Sequence, residues 1–445
     1  MDMCSGPLFS KIVAFSLPVM LSNVLQLLYN AADGIVVGQF EGDIAFAAVG
    51  SNGALITLIT CMIVGLSVGV NSVTACLYGA GDRDGVHRAV HTAMLLSLIC
   101  GVLIGIFGYV FCIPLLRLMQ SPENVLPLAS LYMRITFIGL PSVAVLNFGS
   151  AILRAIGDTR HPMQYLILSG AINVGLNLVF VGLLRMGVAG VAVPTLVSRG
   201  LGAVIILKLT TRHDNVARVT WDGVRHLQPQ MAKNILYIGI PSALENSLFQ
   251  LGRVLVVSMI SLFGTVHISA NAVANNLDGM GCIVGQAIGL AMITVVGRCV
   301  GAGDNEQAIY YTKKLLGWAY LVMGVLNGLI LIFVRPLVGI YELSGETMEL
   351  SIILACIHAG FAMLLWPLSF VLPNALRAAN DVKFTMIVSI ASMACWRVGF
   401  SYIIGVRMGM GAIGVWIAMV VDWVCRVTCF VTRFRSGVWK EKYKA

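Results

Sequence analysis

The second half of the chain repeats the first half at an offset of 222 to 224 residues. Pro18 precedes a Gly-Ala-Gly-Asp loop at residues 79–82, and Pro241 precedes the same loop at residues 301–304. Two later elements recur in nearly the same register: residues 153–158 return as residues 376–381, and residues 186–191 return as residues 410–415. An apolar chain built from two similar halves is typical of secondary transporters that move one half against the other.

Composition places the chain in a membrane. Hydrophobic residues make up 58% of it and charged residues 11%, whereas a typical soluble domain has about 25% charged residues. The 47 glycines fit this class, because small residues let helices pack closely in lipid. The 11 cysteines fall almost entirely in apolar runs, so we interpret them as core residues and not as a disulfide or metal framework. The sequence has no nucleotide-binding P-loop, which excludes ATP as the energy source.

Apolar runs of about 20 residues or more, the length that crosses a bilayer, predict twelve transmembrane helices. The predicted fold class is all-α integral membrane, with two six-helix bundles. The spans are residues 12–39, 45–77, 89–113, 126–152, 163–184, 188–209, 234–264, 268–298, 307–334, 347–375, 384–406 and 411–432. A polar connector at residues 210–230 divides the chain into an N-terminal lobe of residues 1–209 and a C-terminal lobe of residues 231–445.

Basic residues predict the orientation of the spans. Most of the 29 Lys and Arg lie in loops on the side of the N-terminus, and the opposite loops contain Arg117, Arg185, Arg335 and Arg407. By the positive-inside rule, we expect both termini in the cytoplasm and the chain in a bacterial cell membrane. Each half has an even number of spans, so the repeats are expected to be parallel. The net charge of +9 then reflects topology and contact with anionic lipids, and nucleic acid is excluded as a partner.

Four acidic residues fall inside the predicted spans: Asp33, Glu245, Asp278 and Asp422. A charge at the bilayer centre costs at least ~2.5 to 3.5 kcal/mol, so it persists only with a partner or a function. Asp33 has no basic residue within reach along its own helix, and Asn30 lies one turn away. Because desolvation raises the pKa of a buried carboxylate, we expect Asp33 to exchange protons or to accept a cation. A hydrated acid at the outer mouth of the protein is the alternative.

Glu245 follows Pro241 in the seventh predicted span. A proline inside a span frees a backbone carbonyl and makes polar contacts available at membrane depth. Glu245 and the adjacent Asn246 are therefore candidates for the substrate cavity of the C-terminal lobe. The alternative is an ion pair between Glu245 and Arg253, two turns further along the same helix.

The two remaining acids have different surroundings. Asp278 lies in a stretch that contains three asparagines, Asn275 among them, so we expect Asp278 and Asn275 to face a cavity. Asp422 and Arg426 are spaced i, i+4 on one helix. That spacing predicts a pair of charges that neutralise each other and have a structural role.

These residues together resemble the MATE (multidrug and toxic compound extrusion) transporters, and most closely their bacterial DinF-like branch. The resemblance rests on the segment around Asp33, on the segment 75–82 with its copy at 296–304, and on the Leu-Arg-Ala elements that begin at Leu153 and Leu376. It covers essentially the whole chain. It implies a V-shaped fold of twelve helices that exports drug-like, cationic or amphipathic compounds in exchange for H+ or Na+, with no other cofactor.

The resemblance also implies a coupling site in the N-terminal lobe. Asp33 matches the acid of that site, and three side chains of the fifth and sixth spans match its other polar groups: Asn173, Asn177 and Thr195. Asn177 stands where relatives often carry Asp, which weakens the case for Na+, since a hard cation gains most from anionic oxygens.

A second cation site is expected to be incomplete. Glu245 matches an acid of Na+-coupled relatives, but Trp366 occupies the position of their second acid. We therefore expect H+ as the coupling ion, although Asp33 remains a candidate site for Na+.

Two other functions stay open at this point. Flippases of lipid-linked precursors, in the same superfamily, usually have fourteen spans and a basic cavity, whereas twelve spans and acidic cavity candidates are predicted here. An integral-membrane enzyme needs a catalytic cluster at one membrane depth, and the seven histidines are scattered, so no catalytic residue and no resident metal is assigned. The expected partners are small-molecule substrates and membrane lipids. We expect a monomer, because one chain holds both lobes.

Overall fold

The computed structural model describes residues 8–119, 123–211, 228–343 and 345–442, and these residues form helices and turns without any β-strand. Short π-helical segments follow α6, α12 and α14. The helices are α1 (Leu8–Gly79), α2 (Arg83–Val110), α3 (Cys112–Leu118), α4 (Leu126–Ile138), α5 (Leu140–Ala155), α6 (Arg160–Asn177), α7 (Ala189–Thr210), α8 (Pro229–Ser261), α9 (Thr265–Gly301), α10 (Asn305–Ile332), α11 (Val334–Gly339), α12 (Gly345–Trp366), α13 (Leu372–Ala378), α14 (Val382–Ser392) and α15 (Gly411–Ser436).

The predicted membrane spans are found from the second span onward. Ten helical stretches within the described residues are long and apolar enough to cross a membrane, and α4 with α5 forms an eleventh that bends by 46°. The bend lies at Pro141, at the start of α5, because proline cannot donate the backbone hydrogen bond that would continue α4. The first predicted span contains a shorter apolar helical stretch, Val13–Gln26.

The structure differs from the sequence prediction between the first two spans. The sequence predicts a loop at residues 40–44, whereas the backbone is helical from Leu8 to Gly79, a run of 72 residues. The segment Phe40-Glu41-Gly42-Asp43-Ile44 has a single glycine and no proline, so its residues interrupt a helix only weakly. Most side chains between residues 27 and 51 lie outside the described part of the structure.

The chain divides into two compact units. The first comprises Leu17–Ala243, and the second comprises the residues from Leu244 onward together with the segment that ends at Ser16. In the first unit α2 packs on α5, and α7 packs on α5 and α6; in the second, α9 packs on α10, α12 and α13. The predicted lobes, residues 1–209 and 231–445, stay a prediction, and residues 212–227 of the predicted connector lie outside the described residues.

The internal repeat is visible in the turns that start α2 and α10. The side chain of Asp82 accepts a hydrogen bond from the Gly85 N–H at 2.8 Å, and that of Asp304 accepts one from the Gln307 N–H at 2.9 Å. Aspartate caps a helix in this way because its carboxylate satisfies an N–H group that lacks a partner within the helix. Each cap starts a helix of 28 residues.

The Leu-Arg-Ala elements also share one turn. Gly157 has φ 83° and its counterpart Asn380 has φ 70°, the left-handed region that glycine and asparagine tolerate best. The N–H of Asp158 donates to the Leu153 carbonyl at 2.8 Å, and that of Asp381 donates to the Leu376 carbonyl at 2.9 Å. The sequence repeat is therefore a repeat of backbone conformation.

Glycines let neighbouring helices of the first unit approach closely. A Cβ atom added to Gly69 on α1 would lie 2.3 Å from the Ile235 carbonyl oxygen on α8, and one added to Gly101 on α2 would lie 2.6 Å from the Cα of Pro141. Such backbone contact is the means by which small residues bring helices together in lipid.

Candidate functional site

Asp33, the predicted coupling residue, belongs to helix α1, but the described part of the structure does not include its side chain. Its predicted role therefore rests on the sequence. The described part of the predicted N-terminal site consists of side chains on α6 and α7.

Asn173, Asn177 and Thr195 come together, and we call them the amide cluster. Asn173 Nδ2 donates to Thr195 Oγ1 at 3.0 Å, and Asn177 Nδ2 donates to Asn173 Oδ1 at 3.2 Å. The two asparagines share one face of α6 because they are four residues apart, and both are buried. Immediately after Asn177 the helix widens into the π-helical segment Leu178–Leu183, a feature that often marks functional positions.

Glu245 forms an ion pair with Arg377, which corrects the expected alternative of a pair with Arg253. The Oε1 of Glu245 on α8 lies 2.6 Å from Nη2 of Arg377 on α13. Arg377 Nη1 also donates to Asn374 Oδ1 at 2.5 Å. Arg253 lies two helical turns from Glu245, too far along the helix axis to compete with a guanidinium that packs beside the carboxylate. Asn246 is partly buried next to the pair.

Asp278 is bound by His358, a partner that the sequence reading missed. Its Oδ1 lies 2.7 Å from His358 Nε2, which comes from α12, and 3.2 Å from Cys282 Sγ, one turn along α9. The rings of Trp416 and Trp423 pack against the His358 imidazole in T-shaped contacts, with ring centroids 5.9 and 5.3 Å from the imidazole centroid. A histidine inside an otherwise apolar run was the available signal for this pair. The three ligand-type atoms lie within 4.8 Å of one another, and hydrogen bonding accounts for that closeness.

The Asp422–Arg426 pair is confirmed, with Oδ1 and Nε 3.1 Å apart and both side chains buried. Ser392 donates to the same carboxylate, and Arg426 Nη2 donates to the Ser389 carbonyl at 3.0 Å. These contacts cross between α14 and α15. They fit the structural role that the i, i+4 spacing predicts.

Trp366 stands where the family resemblance places the second acid of Na+-coupled relatives. The side chain is buried and stacks on Phe370 at a centroid distance of 5.0 Å. A Cβ atom added to Gly285 on α9 would lie 2.2 Å from the indole, so the ring occupies a space that only glycine leaves free. The position is filled with aromatic carbon and provides no cation ligand.

Arg253 and Asn275 line a small cavity of about 20 Å³ within the second unit, which we call the arginine cavity. Arg397 is the second basic residue in its wall, and the Trp416 indole lies beside it. Asn271 connects two of the lining groups: it accepts a hydrogen bond from Trp416 Nε1 at 3.0 Å through Oδ1, and one from Asn275 Nδ2 at 2.9 Å through its carbonyl. Asp278, expected to face a cavity, is not among the lining residues.

Comparison with known proteins gives two separate matches, one for each half. The MatE family model matches residues 18–179 and again residues 241–403, at the offset of the internal repeat. The chain belongs to the MatE family.

Full-length relatives agree with this membership in the MatE family. The chain is 25% identical to the uncharacterized transporter YisQ of Bacillus subtilis over 435 residues, which cover 96% of this chain and 94% of that protein. It is 26% identical to the probable multidrug resistance protein NorM of Thermotoga maritima over 439 residues, which cover 97% and 93% of the two chains. A crystal structure of MATE in complex with MaL6 superposes with a TM-score of 0.90, at 26% identity, over 99% of this chain and 98% of that one.

The resemblance and the fold class predicted from sequence are thereby confirmed. The protein is a multi-pass membrane transporter of the MATE multidrug efflux family that binds small-molecule substrates, and its relatives are transporters and not enzymes.

Proposed function

We propose that this MatE transporter exports amphipathic, drug-like compounds in exchange for H+, by alternating access of its two lobes, with Asp33 as the group that takes up the proton. The amide cluster supports the proposal most directly, because its three hydrogen-bonded side chains are all neutral. Amides and hydroxyls both donate and accept, so such a cluster suits a single carboxyl group in its protonated and in its ionised form. The proximity of Asp33 to the cluster is implied by the family resemblance.

The choice of H+ over Na+ follows from the number of available carboxylates. Sodium is a hard cation and gains most from anionic oxygen ligands, and the amide cluster provides none. In the second unit, Glu245 is held by Arg377, and Trp366 fills the position of the second acid. A proton needs only one carboxylate, which Asp33 provides.

The substrate class follows from the charges in the second unit. The resemblance implies cationic or amphipathic compounds. The acids that would attract a cation are paired with bases, since Glu245 binds Arg377 and Asp278 binds His358. An amphipathic substrate, which needs no exposed carboxylate, fits these residues better.

Proteoliposomes with a pH gradient and a Na+ gradient imposed separately test the proposal. The pH gradient alone should drive movement of the amphipathic dye rhodamine 6G. Asp33→Asn keeps the shape of the side chain and removes its charge, so transport should fall to the rate of protein-free liposomes. Glu123→Gln is the matched control, because that carboxylate is 79% exposed near α4, and it should transport at the rate of the unsubstituted protein.

Two results would contradict this proposal. Normal pH-driven transport by Asp33→Asn would exclude Asp33 as the coupling group. Transport that follows only the Na+ gradient would exclude H+ as the coupling ion.

We also propose that both termini lie in the cytoplasm of a bacterial cell, that membrane lipids contact the basic loops, and that the monomer is the working unit. The distribution of Lys and Arg along the sequence supports the orientation. Accessibility of single cysteines introduced near the two termini to a membrane-impermeant thiol reagent would test it.

A further inference from the structure

Arg253 and Arg397 are two cations of the second unit that form no ion pair with a described carboxylate; Asp278 attracts both, and Asp422 attracts Arg397, only at longer range. Neither lies within 4.0 Å of a carboxylate in the part of the chain that the structure describes, and the Nε of Arg397 is buried without a hydrogen-bond partner there. Four acids of this unit have ion-pair partners of their own: Glu245 pairs with Arg377, Asp422 with Arg426, Asp278 with His358 and Asp381 with Arg433.

Both guanidinium groups line the arginine cavity. The remainder of its wall consists of amide, indole and apolar side chains, and none of its lining residues carries a negative charge. A charged side chain at membrane depth is retained only with a partner or a function. Two such cations beside one cavity, with no ion pair to a described carboxylate, indicate that the partner is a ligand.

The internal repeat places this cavity at the position of the predicted coupling site. Near α8 the register follows Pro18 and Pro241, and near α14 and α15 it follows Met186 and Met410. In that register the corresponding residues are Asn30 and Arg253, Asp33 and Val256, Asn173 and Arg397, and Thr195 and Met419. All four C-terminal members line the cavity. At equivalent positions the carboxylate has become a valine and two amides have become arginines.

We propose that the arginine cavity binds the carboxylate group of an aromatic organic anion, as a substrate subsite of the second unit. The inference rests on the proposed transport function and adds amphipathic compounds that carry an acidic group to its substrate class. Guanidinium is the side-chain group best suited to this task, because its planar N–H donors bind a carboxylate through two parallel hydrogen bonds.

One aromatic side chain, Trp416, lies in the wall beside the two arginines. The residue Trp416 is only 4% exposed, and its N–H is bonded to Asn271, so the ring is held in a fixed orientation in the wall of the cavity. A cavity of about 20 Å³ admits the carboxylate group and not the whole ligand, since about 10–15 Å³ of such space holds one water molecule. A cationic ligand would be repelled by the two guanidinium groups.

Equilibrium binding of two xanthene dyes to the full-length protein in lipid nanodiscs tests the subsite. Carboxyfluorescein is an anion with free carboxylates, and rhodamine 6G is a cation whose carboxyl group is esterified. We expect Arg253→Gln and Arg397→Gln each to raise the Kd of carboxyfluorescein by about tenfold or more, because each removes a charge-assisted hydrogen-bond donor. The Kd of rhodamine 6G should not rise.

Two further variants distinguish an effect of the cavity's charge on dye binding from an effect on folding. Arg407→Gln removes an exposed arginine beyond the cavity and should leave both Kd values unchanged. Val256→Asp keeps both arginines and adds a carboxylate at the position equivalent to Asp33, so it should abolish carboxyfluorescein binding by occupying the guanidinium groups from within.

The subsite is refuted if the unsubstituted protein does not bind carboxyfluorescein, or if Val256→Asp binds it with the same Kd. Proton-driven transport of rhodamine 6G that depends on Asp33, without any binding of carboxyfluorescein, would overturn the subsite and leave the proposed function standing. Carboxyfluorescein binding that depends on both arginines, without gradient-driven transport of either dye, would support the subsite and overturn the proposed function.

Discussion

Replacement of Glu245 by glutamine should destabilise the protein by about 3 kcal/mol. Glu245 and Arg377 lie 2.6 Å apart, with side chains only 7% and 13% exposed. Removal of one partner of a buried pair costs about 3–5 kcal/mol, because the other charge stays buried without compensation. Arg377 keeps its hydrogen bond to Asn374 at 2.5 Å, which places the expected cost at the lower end of that range.

The double variant Glu245→Gln with Arg377→Gln is the matched control for this prediction. It replaces both charges with amides, so it should recover at least half of the lost free energy of unfolding. Reversible unfolding in mixed micelles, followed by circular dichroism, measures both variants. A loss below about 1 kcal/mol in the single variant, the value of an exposed pair, would refute the reasoning, as would a double variant less stable than the single one.

Transport assays of Glu245→Gln distinguish its effect on stability from an effect on ion coupling. Because Glu245 is committed to Arg377, Glu245→Gln should reduce proton-driven efflux less than Asp33→Asn does, when rates are normalised to folded protein. If transport instead required a Na+ gradient and Glu245→Gln abolished it, the coupling site would belong to the C-terminal lobe.

Two more predictions concern the first unit. Gly69→Ala should lower the free energy of unfolding by about 1–3 kcal/mol, because the added Cβ would lie 2.3 Å from the Ile235 carbonyl oxygen. Gly53→Ala is the control: its Cβ meets no atom within 4 Å and should not destabilise the protein. Equal free energies of unfolding for the two variants would contradict this prediction. Asn177→Asp adds a carboxylate to the amide cluster and should let a Na+ gradient drive dye transport, because hard cations gain most from anionic oxygens. An unchanged response to Na+ in proteoliposomes would show that Asn177 lies outside the ion site.

Features fixed by neighbouring residues were predictable from the sequence. The Gly-Ala-Gly-Asp loops end helices and cap the next ones, as Asp82 and Asp304 show, because the glycine and the capping carboxylate act within one turn. The Asp422–Arg426 pair was predictable for the same reason. The continuous helix through residues 40–44 was not predictable from the sequence, because residues that disfavour a helix only weakly do not determine the backbone conformation alone.

Partners far apart in the chain were not predictable. The pair of Glu245 and Arg377 joins residues 132 positions apart, and His358 reaches Asp278 from another helix. Helical periodicity tells which residues share a face, but not which face of another helix lies opposite. From the sequence alone, the nearest basic residue to Glu245 is Arg253 on the same helix. Helix packing instead brings Arg377 next to it.

The two halves share a sequence repeat and differ in the charges at equivalent positions, and this difference has a physical rationale in the proposed mechanism. A proton site needs an acid without an ion-pair partner, and an anion site needs arginines without one. One cavity cannot hold both, because opposite charges in contact bind each other in preference to a ligand. Duplication of the helical frame removes the conflict, since each copy holds one sign of charge at equivalent positions: Asp33 with amides in one half, and Val256 with arginines in the other. The divergence of the repeat at these positions is therefore what we expect of a transporter that exchanges a proton for an acidic substrate.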